Sequence, residues 1–118
     1  MIAFDRHRAA SWGLLPLGLL CAAALGACAP SMPVPSANDA TMATKRYPGV
    51  TVEELTAGRT TYVSRCSRCH NLFRPSERSP EAWPAIVLDM GARAKLSPEE
   101  TTAVERYVVT MSERHWDR

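Results

Sequence analysis

The chain has 118 residues, of which 46% are hydrophobic and 22% charged, with a net charge of +2. That balance suits one small soluble domain rather than two, and nothing in it argues for nucleic acid as a partner. Residues 1–13, MIAFDRHRAASWG, carry Arg6, His7 and Arg8 ahead of an apolar run, LLPLGLLCAAALGA, at residues 14–27. A charged start followed by a short apolar stretch reads as an export signal. The run is too short, and too interrupted by Pro16, to span a bilayer comfortably.

The run ends in Leu25, Gly26, Ala27 and Cys28, which resembles the lipobox of bacterial lipoproteins. The resemblance implies cleavage before Cys28, a diacylglyceryl group on its sulfur, and firm membrane anchoring, because two or more acyl chains hold a protein stably where one does not. Soluble secretion with a cut in Ala27-Cys28-Ala29, and an uncleaved anchor helix, are the competing readings. Residues 1–27 are thus expected as a lipoprotein signal, and the location as the periplasm, at the outer or inner membrane. Arg6, Arg8 and Asp5 leave with that segment, so the mature net charge falls from +2 to +1.

Residues 28–45 follow as a lipidated, proline-rich tether: APSMPVPSANDATMAT has no helical or strand period and too little apolar surface to order itself. Residues 46–118 are expected as the folded domain, a size at which a single apolar core is marginal and a staple is usual. Three helices are expected in it. The first has Thr51 as N-cap with Glu54 three residues on, and Leu55, Gly58, Tyr62 and Cys66 on one face. A second has the seam Trp83, Ile86, Val87 and Met90, its regular part beginning at Trp83 or Pro84 because Pro84 would break a helix started at Ser79. The third opens at Ser97-Pro98-Glu99-Glu100 and carries the stripe Val104, Tyr107, Val108 and Met111.

The chemistry is concentrated in RCSRCHNLFRP, where Cys66, Cys69 and His70 fall within five residues. Cys21 and Cys28 lie in the export region, so no second cysteine pair exists for a disulfide framework. Three uses fit the spacing. Covalent haem attachment needs two thiols for the two vinyl groups and a following imidazole for the iron. A thiol-disulfide pair would sit near a βαβ pattern, which is not visible. A zinc or copper site would need a fourth ligand, and His115 alone is left in the folded part. Haem accounts best for the adjacent histidine and for the missing core.

Gly58, Tyr62 and Cys66 at four-residue spacing, running into Cys66-Ser67-Arg68-Cys69-His70, resemble the N-terminal helix of small class I cytochromes c. Trp83, Val87 and Met90, followed by Leu96 and SPEE, are similar to the pattern of short cytochrome c subunits of periplasmic dehydrogenases, sulfite dehydrogenases among them. The resemblance covers residues 50–113. It implies an all-α, cytochrome c-like fold with three main helices around one covalently attached haem c. It further implies that Gly58 admits close crossing by the last helix beside Tyr107, and that the carbonyl of Pro75 serves the proximal histidine.

His70 is then the fifth iron ligand and Met90 the expected sixth. Met111 lies on the apolar stripe of the last helix and reads as core, and His115 as a surface residue near the terminus. Trp83 is expected either to point its indole at a haem propionate or to pack on the ring edge. Arg74, Arg78, Arg93 and Lys95 could neutralise propionates, face a partner, or remain solvated. His/Met ligation raises the reduction potential and closes both axial positions. The expected role is therefore a single-electron carrier, not an enzyme, between a redox donor and acceptor such as a periplasmic dehydrogenase or oxidase. A five-coordinate haem enzyme or gas sensor is the first alternative, and a haemless thiol or metal-binding lipoprotein the second.

Overall fold

The computed structural model describes residues 31–116. The export segment and Cys28, with its expected lipidation, lie outside the described residues. Within them the fold is all-helical, with no strand. Four α-helices occur in chain order: α1 (Ala37–Ala43), α2 (Val52–Thr61), α3 (Trp83–Arg93) and α4 (Pro98–Trp116). A π-helical turn, Tyr62–Cys66, continues α2, and a 3-10 turn, Pro75–Glu77, precedes α3. No helix among the described residues is long and apolar enough to cross a membrane.

The helix boundaries follow local chemistry. The Thr51 hydroxyl accepts from the Glu54 amide (3.2 Å), but Glu54 does not reach back; its carboxylate binds Arg106 of α4 instead. Pro84 sits in the first turn of α3, where a missing N–H costs nothing. At α4 the reciprocal box is complete: Glu100 N donates to Ser97 Oγ (3.1 Å) and Ser97 N to Glu100 Oε2 (2.9 Å). Helix α3 runs through Gly91 to Arg93, and the turn falls at Lys95, whose φ of 54° is left-handed.

α2 and α4 cross at Gly58. A Cβ there would overlap the Ala103 carbonyl oxygen and stand 2.9 Å from Tyr107 Cβ, so only glycine allows the two backbones to approach this closely. Leu55, Tyr62, Val104, Tyr107 and Val108 are buried around the crossing, and α3 adds Trp83 and Val87 to the same core.

One expectation fails on the N-terminal side. The segment read as a structureless tether is folded from Met32 onward. Ser36 and Asp39 form a capping box for α1: Asp39 Oδ2 accepts from Ser36 N (2.8 Å) and Ser36 Oγ (2.7 Å), and Asp39 N donates to Ser36 Oγ (3.3 Å). Asp39 is buried and faces Arg114 at 3.3 Å. Ahead of α1, Arg59 donates to the carbonyls of Met32 and Pro33, and Tyr107 Oη to that of Pro33 (2.8 Å). The strap needs little apolar surface of its own because its backbone carbonyls are bound by side chains of α2 and α4. Residues 107–112 of α4 are all buried, Thr110 and Ser112 included, rather than only the expected stripe, because the strap and the segment around the 3-10 turn both pack on this helix, Ser112 Oγ donating to Arg78 O (2.6 Å).

Candidate cofactor site

The π-helical turn widens the end of α2 and closes on Cys66, the first cysteine of the motif, a distortion common at functional sites. Tyr62 and Trp83 form the floor beneath it, ring edge to ring face with centroids 6.2 Å apart. Both spend their polar atoms on the loop that follows the motif: Tyr62 Oη donates to Phe73 O (2.7 Å) and Trp83 Nε1 to Pro75 O (2.8 Å). Burial pushes the Tyr62 phenol well above its ordinary pKa, with Cys66 and Tyr107 adding to the effect. The hydroxyl therefore remains a donor, and the floor it leaves facing the hollow is apolar.

Above that floor lies a cavity of about 540 Å³, within the size range of small-molecule and cofactor sites. Cys66, His70 and Met90 all border it, with Ile86, Leu96 and Val104 as apolar wall. A second hollow of about 550 Å³ shares Cys66, His70 and Met90 with the first and adds Cys69. Its rim is cationic, with Arg65, Arg68, Arg93 and Lys95. The structure thus brings the four motif residues Cys66, Cys69, His70 and Met90 to the edges of two hollows that share three of them.

His70 is exposed, and its Nδ1 lies 2.7 Å from Asn71 O. A carbonyl oxygen only accepts, so Nδ1 donates, and in the neutral ring this tautomer leaves the Nε2 lone pair as the one available to a metal. The expected service by the Pro75 carbonyl is not found: Asn71 supplies the acceptor, and Pro75 O accepts from Trp83. The same contact engages the indole N–H of Trp83 with the loop. Phe73 stands 5.9 Å from the His70 ring and carries the Arg78 guanidinium at 4.7 Å on its own face.

Cys66 is half-buried and Cys69 exposed, and neither is in a disulfide. Burial pushes the Cys66 thiol up, Cys69 adds to the shift, and Arg65 only partly opposes it. Redox-active C-x-x-C thiols are instead acidified, so this environment argues against a thiol-exchange centre. Among the described residues no three of His, Cys, Asp and Glu converge as a metal cage. Met111 is buried in the core, and His115 is exposed and borders a different cleft, beside Arg74.

Two supporting residues had no mark in the sequence reading. Arg65, beside the motif, donates to the carbonyls of Ala94 (3.0 Å) and Lys95 (3.4 Å) and faces Glu100 at 3.5 Å, tying the motif to the turn between α3 and α4. Asn71 acts through its backbone, which no side-chain pattern reveals. Of the cations read as candidates, Arg93 pairs with Asp89 (3.1 Å) on its own helix, and Lys95 lines the second hollow.

No family model, curated protein or solved structure matches this chain. The residues present fit a haem: an imidazole, a soft thioether and the Cys66 thiol border one apolar cavity, and the Cys69 thiol lies on the adjoining hollow.

Proposed function

We propose that the protein is a monohaem cytochrome c that passes single electrons between redox partners in the periplasm, held to a membrane by lipid on Cys28. The observation that carries this reading is the meeting of Cys66, His70 and Met90 on one apolar cavity, with Nδ1–H of His70 engaged by Asn71 O. In this reading Cys66 and Cys69 bind the porphyrin through thioethers, and His70 Nε2 and Met90 Sδ hold the iron. A haem held there would supply a one-electron ferric/ferrous couple, and the protein would carry that electron from a donor to an acceptor. Met90 favours the ferrous state more than a second imidazole would. Ile86, Leu96 and Val104 exclude water from the cavity, and the Asn71 carbonyl keeps the His70 ring oriented. Contact with partners runs across the rim at Cys69, where Arg65, Arg68, Arg93 and Lys95 are available for a transient interface.

Protein matured in a host that attaches haem c should remain coloured after denaturation and washing, and give a pyridine haemochrome of one haem per chain. The ferric protein should show the weak far-red band of methionine ligation. Met90→Ala should abolish that band and open the iron to CO. Colourless, compactly folded protein would overturn the haem reading, and a Met90→Ala variant still closed to CO would move the sixth ligand elsewhere.

A further inference from the structure

The strap places the folded unit close to whatever holds Cys28. Met32 is buried in the core and the Met32 and Pro33 carbonyls are bound by Arg59, so the chain is held to the folded unit from Met32 onward. Three peptide steps separate Cys28 from Ser31, a reach of about 10 Å even when fully extended. A domain on so short a lead rests against its membrane, and one particular face must meet it.

That face is identifiable. Ser31 and Pro33 border a cleft with Arg74, Pro75, Arg114 and His115, and among the described residues no carboxylate lines it. Two acids beside these arginines are engaged: Glu77 accepts from the Arg74 amide (2.8 Å), and Asp39 is buried against Arg114. Beside the cleft stand two exposed hydrophobic side chains, Val34 (66% exposed) and Trp116 (58%), the latter edge-on to His115 at 6.0 Å. Cationic side chains with an adjacent indole and an aliphatic residue match the interfacial layer of an anionic bilayer, where Trp settles at headgroup depth and each nearby Lys or Arg adds attraction. The cleft shares no lining residue with the hollow at Cys69.

We propose that this cleft, with Val34 and Trp116, is a docking surface for an anionic phospholipid bilayer, fixing the orientation of the domain and leaving the Cys69 rim to redox partners. The proposal rests on the lipidation reading for its short lead, while its own content is the identity of the contacting face.

The test is an arginine footprint with phenylglyoxal, read by mass spectrometry on the full holoprotein in vesicles of phosphatidylethanolamine and phosphatidylglycerol, in phosphatidylcholine vesicles, and in detergent. On the anionic vesicles Arg74 and Arg114 should be protected about fivefold or more relative to detergent, matching the attraction of one arginine to such a surface. Arg68 and Arg93 should react as before, and phosphatidylcholine should protect less than twofold. In Arg74→Gln/Trp116→Ser, whose visible spectrum should match the parent, Arg114 protection should vanish on anionic vesicles. Equal reactivity of Arg74 in vesicles and detergent, protection of Arg68 and Arg93 to the same degree, or unchanged Arg114 protection in the double variant would overturn the surface. Lipidation is judged separately by the mass of the N-terminal peptide. If that peptide carries no acyl group, the anchor reading fails, and the same footprint at saturating vesicle concentration still decides the docking face.

Discussion

The α2–α4 crossing and the hollow beside the cysteine motif are built from the same few helices on opposite principles. At the crossing, Leu55, Val104, Tyr107 and Val108 are almost fully buried and the strap carbonyls are satisfied by Arg59 and Tyr107. At the hollow, Ile86, Met90 and Leu96 are only half-buried, and His70, Asn71 and Phe73 are exposed around it. A chain this short can complete one half of a core from its own side chains. The other half is left as a hollow bordered by Cys66, His70 and Met90, the space that the proposed haem would fill.

The sharpest way to break the contrast is to spoil the finished half. Gly58→Val should drive a branched side chain into the Ala103 carbonyl and Tyr107, and since both neighbours are held by α4 the helices must separate. A loss of about 3 kcal/mol or more is expected, at the upper end of overpacking costs, which corresponds to roughly 12 °C or more in Tm for a domain of this size. Thermal melts followed by far-UV circular dichroism read it directly. A loss under 1 kcal/mol would mean that the crossing is looser than the Gly58 contacts imply.

Much of the finished half could be read in advance. Ser97-Pro98-Glu99-Glu100 forms the cap its residues predict, and α3 starts at Trp83 because Pro84 permits nothing earlier in that helix. Those features are local, so a few consecutive residues contain the cause. The strap is different: its ordering depends on Arg59 and on Tyr107, 74 residues from Pro33, binding main-chain oxygens that have no side-chain signature. One local mark did exist, the Ser36-x-x-Asp39 capping pair, obscured by the prolines around it. At the hollow, Cys66, Cys69, His70 and Met90 are visible in the spacing. The partners that set their geometry, Asn71 O and the carbonyls bound by Arg65 and Trp83, are again backbone atoms.

Alkaline titration sharpens the same comparison, because the phenol that clamps the strap is buried. Burial raises the Tyr107 pKa from 10.0 to about 12, against the opposing pull of Arg59 and Arg114. The folded state therefore holds this proton more tightly than the unfolded chain does. Its contribution is complete below pH 10 and is lost as pH rises through about 12, amounting to about 2 to 3 kcal/mol. Tyr107→Phe should lose about 1 kcal/mol at neutral pH, the Pro33 hydrogen bond, and flatten the stability profile above pH 10. Denaturant midpoints at pH 7, 10 and 11.5 measure both effects. An alkaline limb equally steep in the variant would assign it to the other raised phenols, Tyr47, pushed up to about 12 by burial and by Glu105, and Tyr62, pushed up by burial.

The smallest effect belongs to the rim of the hollow. Lys95 adopts a left-handed φ of 54° at the end of α3, where Leu96 N donates to Gly91 O (2.9 Å) and closes the helix. A side chain in that conformation costs roughly 1 to 2 kcal/mol, partly offset in a glycine replacement by the greater freedom of the unfolded chain. Lys95→Gly should therefore stabilise the fold by about 0.5 to 1 kcal/mol. Arg65 grips the Lys95 carbonyl rather than its ammonium, so the tie between motif and turn survives the change. Lys95→Ala removes the same charge but keeps the Cβ, and should give none of the gain. If both variants instead stabilise equally, the cost at this position is repulsion among the crowded cations of the rim, and the backbone turn is unstrained.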